Sequence, residues 1–507
     1  MNFLIFSLFA AFFFKGVFWV AITPVFQAPD EPNHFAYTQF LAETGKFAVG
    51  KQDLILSREV VKAANFLNLD LKGQHPIWKP DFSGTSFGKN EAEIEKIPTD
   101  DRKDFFTWIG GGRHPPFYYL ISGIFYRSAA FGSLIDRVFF IRFFSVLLGT
   151  ASVLLTFLLA RELFGKNYLL AITTSVIVAF HPTFNVSSST ITPDILAIFL
   201  TGVFSLFGVK ILKETKVDFK NIFFFFTALI LGILTRFTNF ALIPVSVIPL
   251  LKRKILLLVL LLIGATGIFL VFLRSPGMLG EFGQFFGKPS NLAPISFFNF
   301  VTNSFSHYYS EVFSWYWAVF GWLEASLPLT VYRVLRVLTI LSILGLLIHL
   351  VSWLRKPSFN KNSAIWFFLI AVIGVTAAGV IIFDWQTFVR TGVGFGIQGR
   401  HFLMPISAQI IFFVIGITIF LSKFKIPEKI ILVSLTSWFI FLNFLAIWVQ
   451  IYFFYQTTNF SQFIARASQY KPDFFRDGWL VFWLGIFLLS QIIFAVQFIY
   501  EITRSED

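Results

Sequence analysis

The chain of 507 residues contains no cysteine, and charged residues are scarce in it. Without cysteine it can hold neither a disulfide scaffold nor a cysteine-ligated zinc ion, although a disulfide-free protein occurs in any redox compartment. Asp, Glu, Lys and Arg make up only 14% of the chain, whereas a soluble domain carries roughly 25%. This shortage of charge argues against a cytosolic globular enzyme.

Apolar and aromatic residues take the place of the missing charge. The aliphatic and aromatic set reaches 56% of the chain, phenylalanine alone contributes 72 residues, and the mean hydropathy is +0.72. Such a chain is too apolar to stay disordered and more apolar than a soluble fold can bury. We therefore predict an all-α, polytopic membrane protein, since helices satisfy their own backbone hydrogen bonds within lipid.

Twelve apolar runs are candidate membrane spans. A bilayer core of about 30 Å requires about 20 apolar residues per helix. In chain order the candidates are 2–22, 138–160, 168–190, 195–212, 221–234, 238–251, 255–273, 333–354, 364–383, 401–421, 430–452 and 478–500. The first run has no basic segment before it and no small-residue cleavage site after it, so we predict a retained anchor. We expect one integral membrane domain over residues 1–507.

The distribution of Lys and Arg predicts the topology. Basic residues concentrate in short connections, which are 210–220, 252–254, 355–361 and 423–429. The positive-inside rule places these loops, and with them both termini, in the cytoplasm. The outer side then receives two large loops, 23–137 and 274–332, in which we expect interfacial helices, and the glycine-rich loop 384–400. The net charge of +13 is thereby explained without a nucleic-acid surface.

A thirteenth apolar run, 116–131, decides the parity of this topology. It is shorter than a full span and contains Arg127. If it crossed the membrane, either the N-terminus or all the basic loops would lie on the wrong side. We therefore predict that 116–131 is an interfacial or half-inserted helix.

Acidic residues next to the predicted spans are the first candidates for a functional site, because ionisable groups near hydrocarbon are costly. Asp30 and Glu31 lie directly after the first span, between two prolines, and His34 follows them. The alternative is that Asp30 only caps a helix. Asp194 begins a later span on the same side, where an acid also favours the helix dipole.

Further polar candidates lie at the same predicted face. His114 and Tyr118 belong to a His-Pro-Pro-aromatic segment, for which an interfacial aromatic belt is the alternative interpretation. Arg236 is a lone cation between two short spans, and Glu324 is the main acid at the end of the second large outer loop.

The last candidate segment, 394–401, contains the pattern G-x-G-x-x-G. A dinucleotide fingerprint follows a strand in a βαβ unit, whereas this segment precedes a membrane span. Flexible backbone N–H groups at a helix start, together with Arg400, instead predict an anion site. Gln398 and His401 flank it, and the alternative is a flexible hairpin with a snorkelling arginine.

Taken in order, these motifs resemble the GT-C membrane glycosyltransferases, which include protein O-mannosyltransferases, lipid A aminoarabinose transferases and oligosaccharyltransferase catalytic subunits. The resemblance rests on the acidic pair after the first span, the segment 114–119 and Asp194. The segments 320–324 and 398–405 further resemble a bacterial branch labelled as a domain of unknown function. The resemblance spans nearly the whole chain.

The resemblance implies a polyprenyl-phosphate-linked sugar as donor and a glycan, lipid or protein as acceptor. Asp30 matches the family acid that acts as the base or orients the acceptor, with Glu31 in support, and Asp194 matches the second outer acid. Arg236 stands where many members have lysine near the lipid phosphate. Glu324 matches only loosely the acid of metal-dependent members, which makes a divalent metal a candidate cofactor and nothing more.

The resemblance also implies which residues bind the substrate and in which membrane the protein lies. The residues expected to bind substrate are His34, His114, Tyr118, Arg236, Glu324, Gln398, Arg400 and His401. One base and a phosphate leaving group imply an inverting displacement. The location implied is a bacterial cytoplasmic membrane, with the site facing outwards.

Two other classes of function stay open at this point. A transporter or flippase of lipid-linked sugars would carry charged residues at the membrane midplane and an inverted repeat; no such repeat is visible. A non-catalytic scaffold for envelope assembly would not need Asp30, Asp194 and Arg400 on one face.

The topology is testable because the chain has no cysteine of its own. Single cysteines introduced near Lys89 and Ser133 should both react with an impermeant reagent added outside the cell, since 116–131 is predicted not to cross. A cysteine near Ser133 that reacts only from the cytoplasm would contradict the predicted helix count.

Overall fold

The fold was obtained as a computed structural model, which is almost entirely helical and confirms the all-α prediction. The residues it describes are 2–47, 55–69, 82, 87–107, 114–214, 218–251, 295–355, 361–392, 394 and 396–504.

Eleven α-helices lie in the first half of the described chain. They are α1 Asn2–Ile22, α2 Glu31–Thr44, α3 Arg58–Phe66, α4 Phe87–Glu95, α5 Phe117–Ser128, α6 Leu134–Phe164, α7 Tyr168–Ala179, α8 Pro182–Ser188, α9 Pro193–Lys213, α10 Phe219–Ile233 and α11 Leu242–Ser246. Short 3-10 turns occupy Thr99–Arg102, Phe237–Ala241 and Ile248–Leu250.

Eight α-helices follow in the second half. They are α12 Phe297–His307, α13 Phe313–Trp317, α14 Leu329–Arg355, α15 Lys361–Thr391, α16 Ile406–Ser422, α17 Glu428–Tyr455, α18 Phe460–Ala467 and α19 Asp477–Arg504. A short π-helix, Tyr308–Val312, joins α12 to α13. Short 3-10 turns occupy Gly399–Phe402 and Asp473–Phe475.

Two small antiparallel sheets interrupt the helices. Strand β1, Ile55–Ser57, pairs with β2, Phe105–Thr107, and strand β3, Val319–Phe320, pairs with β4, Ala325–Ser326. Both lie in the regions predicted as large outer loops, where the sequence shows no strong strand pattern. With two or three residues each, these strands tie loop segments together and leave the architecture helical.

Seven of the described helices are long and apolar enough to cross a membrane, and these are α1, α6, α9, α14, α15, α17 and α19. The pair α7 and α8 forms an eighth candidate, bent by 65° at its break. Three shorter apolar helical stretches are Phe219–Ile233, Phe237–Leu250 and Ile406–Ser422. The count of twelve stays a prediction, and its span 255–273 lies outside the described residues.

In three places the structure differs in detail from the predicted segments. The run 168–190 breaks before Pro182, because proline has no N–H to donate and clashes with the preceding turn. The run 238–251 forms 3-10 turns around a single turn of α-helix. The loop predicted over 384–400 begins later in the chain than expected, because α15 continues to Thr391. The helix ends before Gly392, which has a φ of +75°.

The first helix lies within the bundle. It packs against α19, where Phe18 stacks on Phe487 with ring centroids 5.1 Å apart, and against α6. Its fully buried Lys15 donates a hydrogen bond to the carbonyl of Ala179 at the end of α7. That carbonyl has no intrahelical partner because the helix stops there. The arrangement fixes α1 and therefore the start of the segment that carries the acidic pair.

The short helices α2 to α5 occupy the predicted outer loop 23–137. Helix α5, Phe117–Ser128, has 12 residues and is about 18 Å long at 1.5 Å per residue. It is therefore shorter than a bilayer core of about 30 Å. Its interfacial position stays a prediction that this length supports.

Candidate active site

The segment after α1 is held by its backbone carbonyls. The hydroxyl of Tyr455 donates to the carbonyl of Ile22 at 2.9 Å, and the ammonium of Lys471 donates to the carbonyl of Thr23 at 2.8 Å. The indole of Trp322 donates to the carbonyl of Phe26 at 3.1 Å. These donors lie at the end of α17, in the connection between α18 and α19, and in the turn between β3 and β4, so three distant parts of the chain hold the segment in place.

A fully buried ion pair also holds this segment in place. Arg142 of α6 donates from Nε and Nη2 to the two carboxylate oxygens of Glu31, at 2.8 and 2.7 Å, and both side chains have 0% exposure. Arg142 also donates to the carbonyls of Thr23 and Pro24, and the N–H of Ile191 donates to Glu31 at 3.1 Å. The carboxylate of Glu31 is therefore held in place inside the protein, directly beside Asp30 in the chain.

Asp30 stands at the helix N-cap position but does not cap α2. Its φ is +64°, a left-handed conformation that costs free energy for a residue other than glycine, and its side chain makes no cap hydrogen bond. The carboxylate instead pairs with Nη2 of Arg400, whose Nη1 donates to the carbonyl of Pro29 at 3.0 Å. The capping alternative is thus not what the structure shows.

The Asp30 side chain is the accessible member of this pair. It is 47% exposed, whereas Arg400 is 13% exposed. Loss of surrounding water by itself raises the pKa of Asp30, but the charge and hydrogen bond of Arg400 outweigh this, with smaller contributions from His114 and His401. The net result is a lowered pKa, so the carboxylate is ionised and reachable from outside the protein.

A second ion pair joins Asp194 to Arg236. Asp194 lies in the first turn of α9, and Arg236 lies between α10 and the following 3-10 turn. Arg236 donates from Nη1 to Oδ1 of Asp194, and their side chains are 14% and 4% exposed. Oδ2 of Asp194 is buried and has no hydrogen-bond partner among the described residues.

Three histidines lie among these charges. His34 shares a hydrogen bond of 2.9 Å with the hydroxyl of Tyr119, and its ring centroid lies 5.3 Å from that of His114. His401 accepts a hydrogen bond from the N–H of Gln398 at 3.2 Å. Because the charges of both arginines act on all three, we refer to Asp30, Asp194, Arg236, Arg400, His34, His114 and His401 as the acid–arginine cluster.

Burial determines the charge of these histidines. It lowers the pKa of His114 to about 4, and it lowers the pKa values of His34 and His401 well below their usual range. The arginine charges act in the same direction. All three imidazoles are therefore neutral near pH 7, where they can donate and accept hydrogen bonds without adding positive charge.

Two predicted residues make no side-chain hydrogen bond with the cluster in the described part of the chain. Tyr118 is fully buried against Tyr119 and Phe144, with ring centroids 5.4 and 6.1 Å away. It is its neighbour Tyr119 that contacts His34. Glu324 is exposed in the turn between β3 and β4. No group of three or more His, Asp or Glu side chains in the described part of the chain has an arrangement suited to a metal ion.

Sequence reasoning missed Arg142, Lys471 and Tyr119. Arg142 carried a usable signal, because a lone ionisable residue within the apolar run 138–160 is a functional hypothesis by default. Lys471 lies in a polar loop far along the chain, so nothing in the local pattern connects it to Thr23.

The fold and the buried charges define a polytopic helical membrane protein with a polar site where several helices end. The chain belongs to the family described as "Predicted membrane protein (DUF2142)", which matches residues 13–410. No curated protein matches the chain.

Two crystal structures of ArnT from Cupriavidus metallidurans are distantly similar. The structure bound to undecaprenyl phosphate has a TM-score of 0.44 and 13% identity, over 96% of this chain and 76% of that one. The apo structure has a TM-score of 0.41 and 13% identity, over 94% and 74%. Likeness at this distance carries no functional assignment.

The buried pair makes a prediction about stability. Arg142→Leu should lower the free energy of unfolding by about 3–5 kcal/mol, because it leaves the charge of Glu31 buried without its partner. Thermal unfolding in detergent measures the loss. Arg161→Leu is the control on the same helix, since Arg161 is exposed and should cost less than about 1 kcal/mol. Equal losses in the two variants would contradict the anchoring role.

Proposed function

We propose that the protein is a membrane glycosyltransferase of the GT-C type. It transfers a sugar from a polyprenyl-phosphate-linked donor to the hydroxyl of a glycan, lipid or protein acceptor. The observation that carries this proposal is the acid–arginine cluster, which brings Asp30, Asp194, Arg236 and Arg400 together from four separate segments. Such a set supplies both a base for a hydroxyl and cations for a phosphate.

The two arginines suit the phosphate of the donor. A guanidinium presents several N–H donors in a plane and matches phosphate oxygens in a bidentate manner. Arg400 and Arg236 are each mostly buried and each face a carboxylate. In a site of low dielectric constant, positioned cations stabilise the negative charge that develops on a departing phosphate.

Asp30 is the proposed base. Its lowered pKa keeps it ionised, and its exposed carboxylate is open to an acceptor. When the donor phosphate engages Arg400, Asp30 loses part of its interaction with that cation. The pKa of Asp30 then rises, which makes the carboxylate a stronger base in the presence of donor.

A large apolar cavity supports a lipid-linked donor. It measures about 2070 Å³ and is lined mainly by apolar side chains of α9, α14, α15 and α16. Phe402 and Gln409 line it, and Phe402 directly follows His401 of the acid–arginine cluster. A polyprenyl tail in this cavity would leave its phosphate near Arg400.

The reaction balances with these groups. The acceptor hydroxyl gives its proton to Asp30, its oxygen bonds to the anomeric carbon, and the bond from that carbon to the phosphate oxygen breaks. Polyprenyl phosphate leaves with the electron pair. A single displacement inverts the anomeric configuration. We also propose that the neutral histidines exchange hydrogen bonds with sugar or acceptor hydroxyls.

We also propose where in the cell the reaction takes place. We place the protein in the bacterial cytoplasmic membrane as one domain, with both termini in the cytoplasm and the acid–arginine cluster at the outer face. The described parts of the loops 23–137 and 274–332 then lie on the outer side of the membrane. A divalent metal enters only through the loose match of Glu324 and has no role in the proposed steps.

Asp30→Asn tests the base. The change is nearly isosteric, so the fold and the binding of undecaprenyl phosphate should persist, while transfer from lipid-linked sugar falls by about 10²–10⁴-fold. Release of undecaprenyl phosphate from the sugar donor measures transfer. Asp473→Asn is the control, because the side chain of Asp473 is fully exposed and its loss should leave transfer intact. Near-normal transfer by the Asp30 variant would remove Asp30 from the reaction.

Arg400 variants test the phosphate site. Arg400→Lys keeps the charge but loses the planar fork, and Arg400→Ala loses both. Affinity for undecaprenyl phosphate in detergent, at one salt concentration, should fall in that order, by about 1–3 kcal/mol for the complete loss. Arg127→Ala is a control at an exposed arginine. Equal affinity in the wild type and both Arg400 variants would place the phosphate elsewhere.

A further inference from the structure

The turn between β3 and β4, residues 321–324, is not part of the acid–arginine cluster, but it is held rigidly. The hydroxyl of Tyr332 donates to the carbonyl of Ala318 at 2.5 Å and accepts from the N–H of Leu327 at 3.0 Å, so one side chain joins both ends of the hairpin. Within the turn Leu323 has a φ of +68°, a left-handed conformation that is costly for leucine. Strain of this kind persists where the surroundings enforce it, and it concentrates at functional sites.

The turn borders the ion pair of Asp30 and Arg400. Gly321 and Leu323 line a small cleft together with Arg400 and Pro29, and Pro29 directly precedes Asp30 in the chain. The carboxylate of Asp30 is 47% exposed. An acceptor whose hydroxyl reaches this carboxylate therefore comes within reach of the turn.

Trp322, inside this turn, has an aromatic ring without an aromatic neighbour. Its indole N–H donates to the carbonyl of Phe26 at 3.1 Å, which restrains the orientation of the ring. The ring is partly exposed and packs on no other aromatic ring in the described part of the chain. By contrast, Trp19 is fully buried and packs on Phe320, with ring centroids 5.8 Å apart. The indole of Trp322 is thus a restrained apolar surface that a ligand can cover.

The chemistry of the turn matches a pyranose sugar, which has an apolar C–H face and a rim of hydroxyls. The π face of an indole carries partial negative charge, so it attracts the C–H groups of such a face. Glu324 is exposed and makes no hydrogen bond or ion pair with another described residue. Its carboxylate can accept hydrogen bonds from the hydroxyls of the same sugar. An acyl chain could cover the indole but has no donor for the carboxylate.

We infer that the turn 321–324 binds a sugar ring of the acceptor. Trp322 stacks on the C–H face of this ring, and Glu324 accepts hydrogen bonds from its hydroxyls. The inference rests on the proposed function and narrows it, because among glycan, lipid and protein acceptors the turn selects a glycan. The reaction is unchanged, since the acceptor hydroxyl still gives its proton to Asp30.

Saturation-transfer NMR tests sugar binding by the full-length protein in lipid nanodiscs, where no sugar-based detergent competes. The probes are the methyl pyranosides of glucose, galactose, mannose and N-acetylglucosamine. At least one should bind the wild type, with the strongest saturation on its ring C–H protons. Binding of none of the four would overturn the inference. A peptide containing serine and threonine represents the protein acceptors, and binding of this peptide alone would also overturn it.

Trp322 variants separate stacking from the hydrogen bond to Phe26. Trp322→Phe keeps an aromatic face but loses the N–H, and it should bind the pyranoside within about 3-fold of the wild type. Trp322→Gln keeps an N–H donor but loses the ring, and it should bind about 10-fold more weakly. The reverse order would mean that Trp322 only holds the backbone. Trp448→Gln on α17 is the control, because Trp448 is 53% exposed and also has no aromatic neighbour among the described residues.

Glu324→Gln tests the second contact. The amide oxygen is a weaker acceptor than the carboxylate, so the pyranoside should bind about 5-fold more weakly than in the wild type. Unchanged affinity would remove the carboxylate from the site and, with it, the reason for choosing a glycan.

Undecaprenyl phosphate distinguishes failure of this inference from failure of the proposed function. It should bind the wild type, Trp322→Gln and Glu324→Gln equally, which also shows that the variants are folded. Undecaprenyl-phosphate glucose should do the same, because the sugar on the turn belongs to the acceptor. If the variants weaken this donor as much as the pyranoside, the turn holds the donor sugar and the inference is overturned. If undecaprenyl phosphate does not bind the wild type, the proposed function fails, and this inference fails with it.

Discussion

The structure of the site depends on the buried ion pair between Glu31 and Arg142. Both side chains are fully inaccessible, and removal of one partner from such a pair is strongly destabilising. Arg142 also binds the carbonyls of Thr23 and Pro24, so one guanidinium holds both ends of the turn that leads to α2. The left-handed conformation of Asp30 persists because its neighbours on both sides are fixed. Asp30 thereby stays turned towards Arg400 and is not lost to helix capping.

A second constraint is that each acid of the cluster already faces an arginine. Asp30 pairs with Arg400 and Asp194 pairs with Arg236, so the charges are balanced before any ligand arrives. A phosphate that entered would exchange one anionic partner of an arginine for another, which avoids the cost of bringing an unpaired cation into a buried site. In the proposed mechanism this exchange links arrival of the donor to activation of the base.

The sequence was sufficient for the helical class and for most of the candidate residues, because both depend on local patterns of polarity. Apolar run length predicts spans, and polar residues at their ends predict where a site can lie. The ion pairs could not be predicted from the sequence, since Asp30 and Arg400 are 370 positions apart and only packing brings them together. The break before Pro182 had a visible signal, whereas the choice of Tyr119 over Tyr118 depends on the rotation of α5, which one sequence does not define to a single residue.

The role of Arg400 is tested most directly by an experimental structure of the protein with undecaprenyl phosphate in a lipid nanodisc. We expect the phosphate within hydrogen-bond distance of Arg400, the polyprenyl tail in the apolar cavity lined by Phe402, and Asp30 separated from the guanidinium. A phosphate bound away from both arginines, with the contact between Asp30 and Arg400 intact, would contradict it.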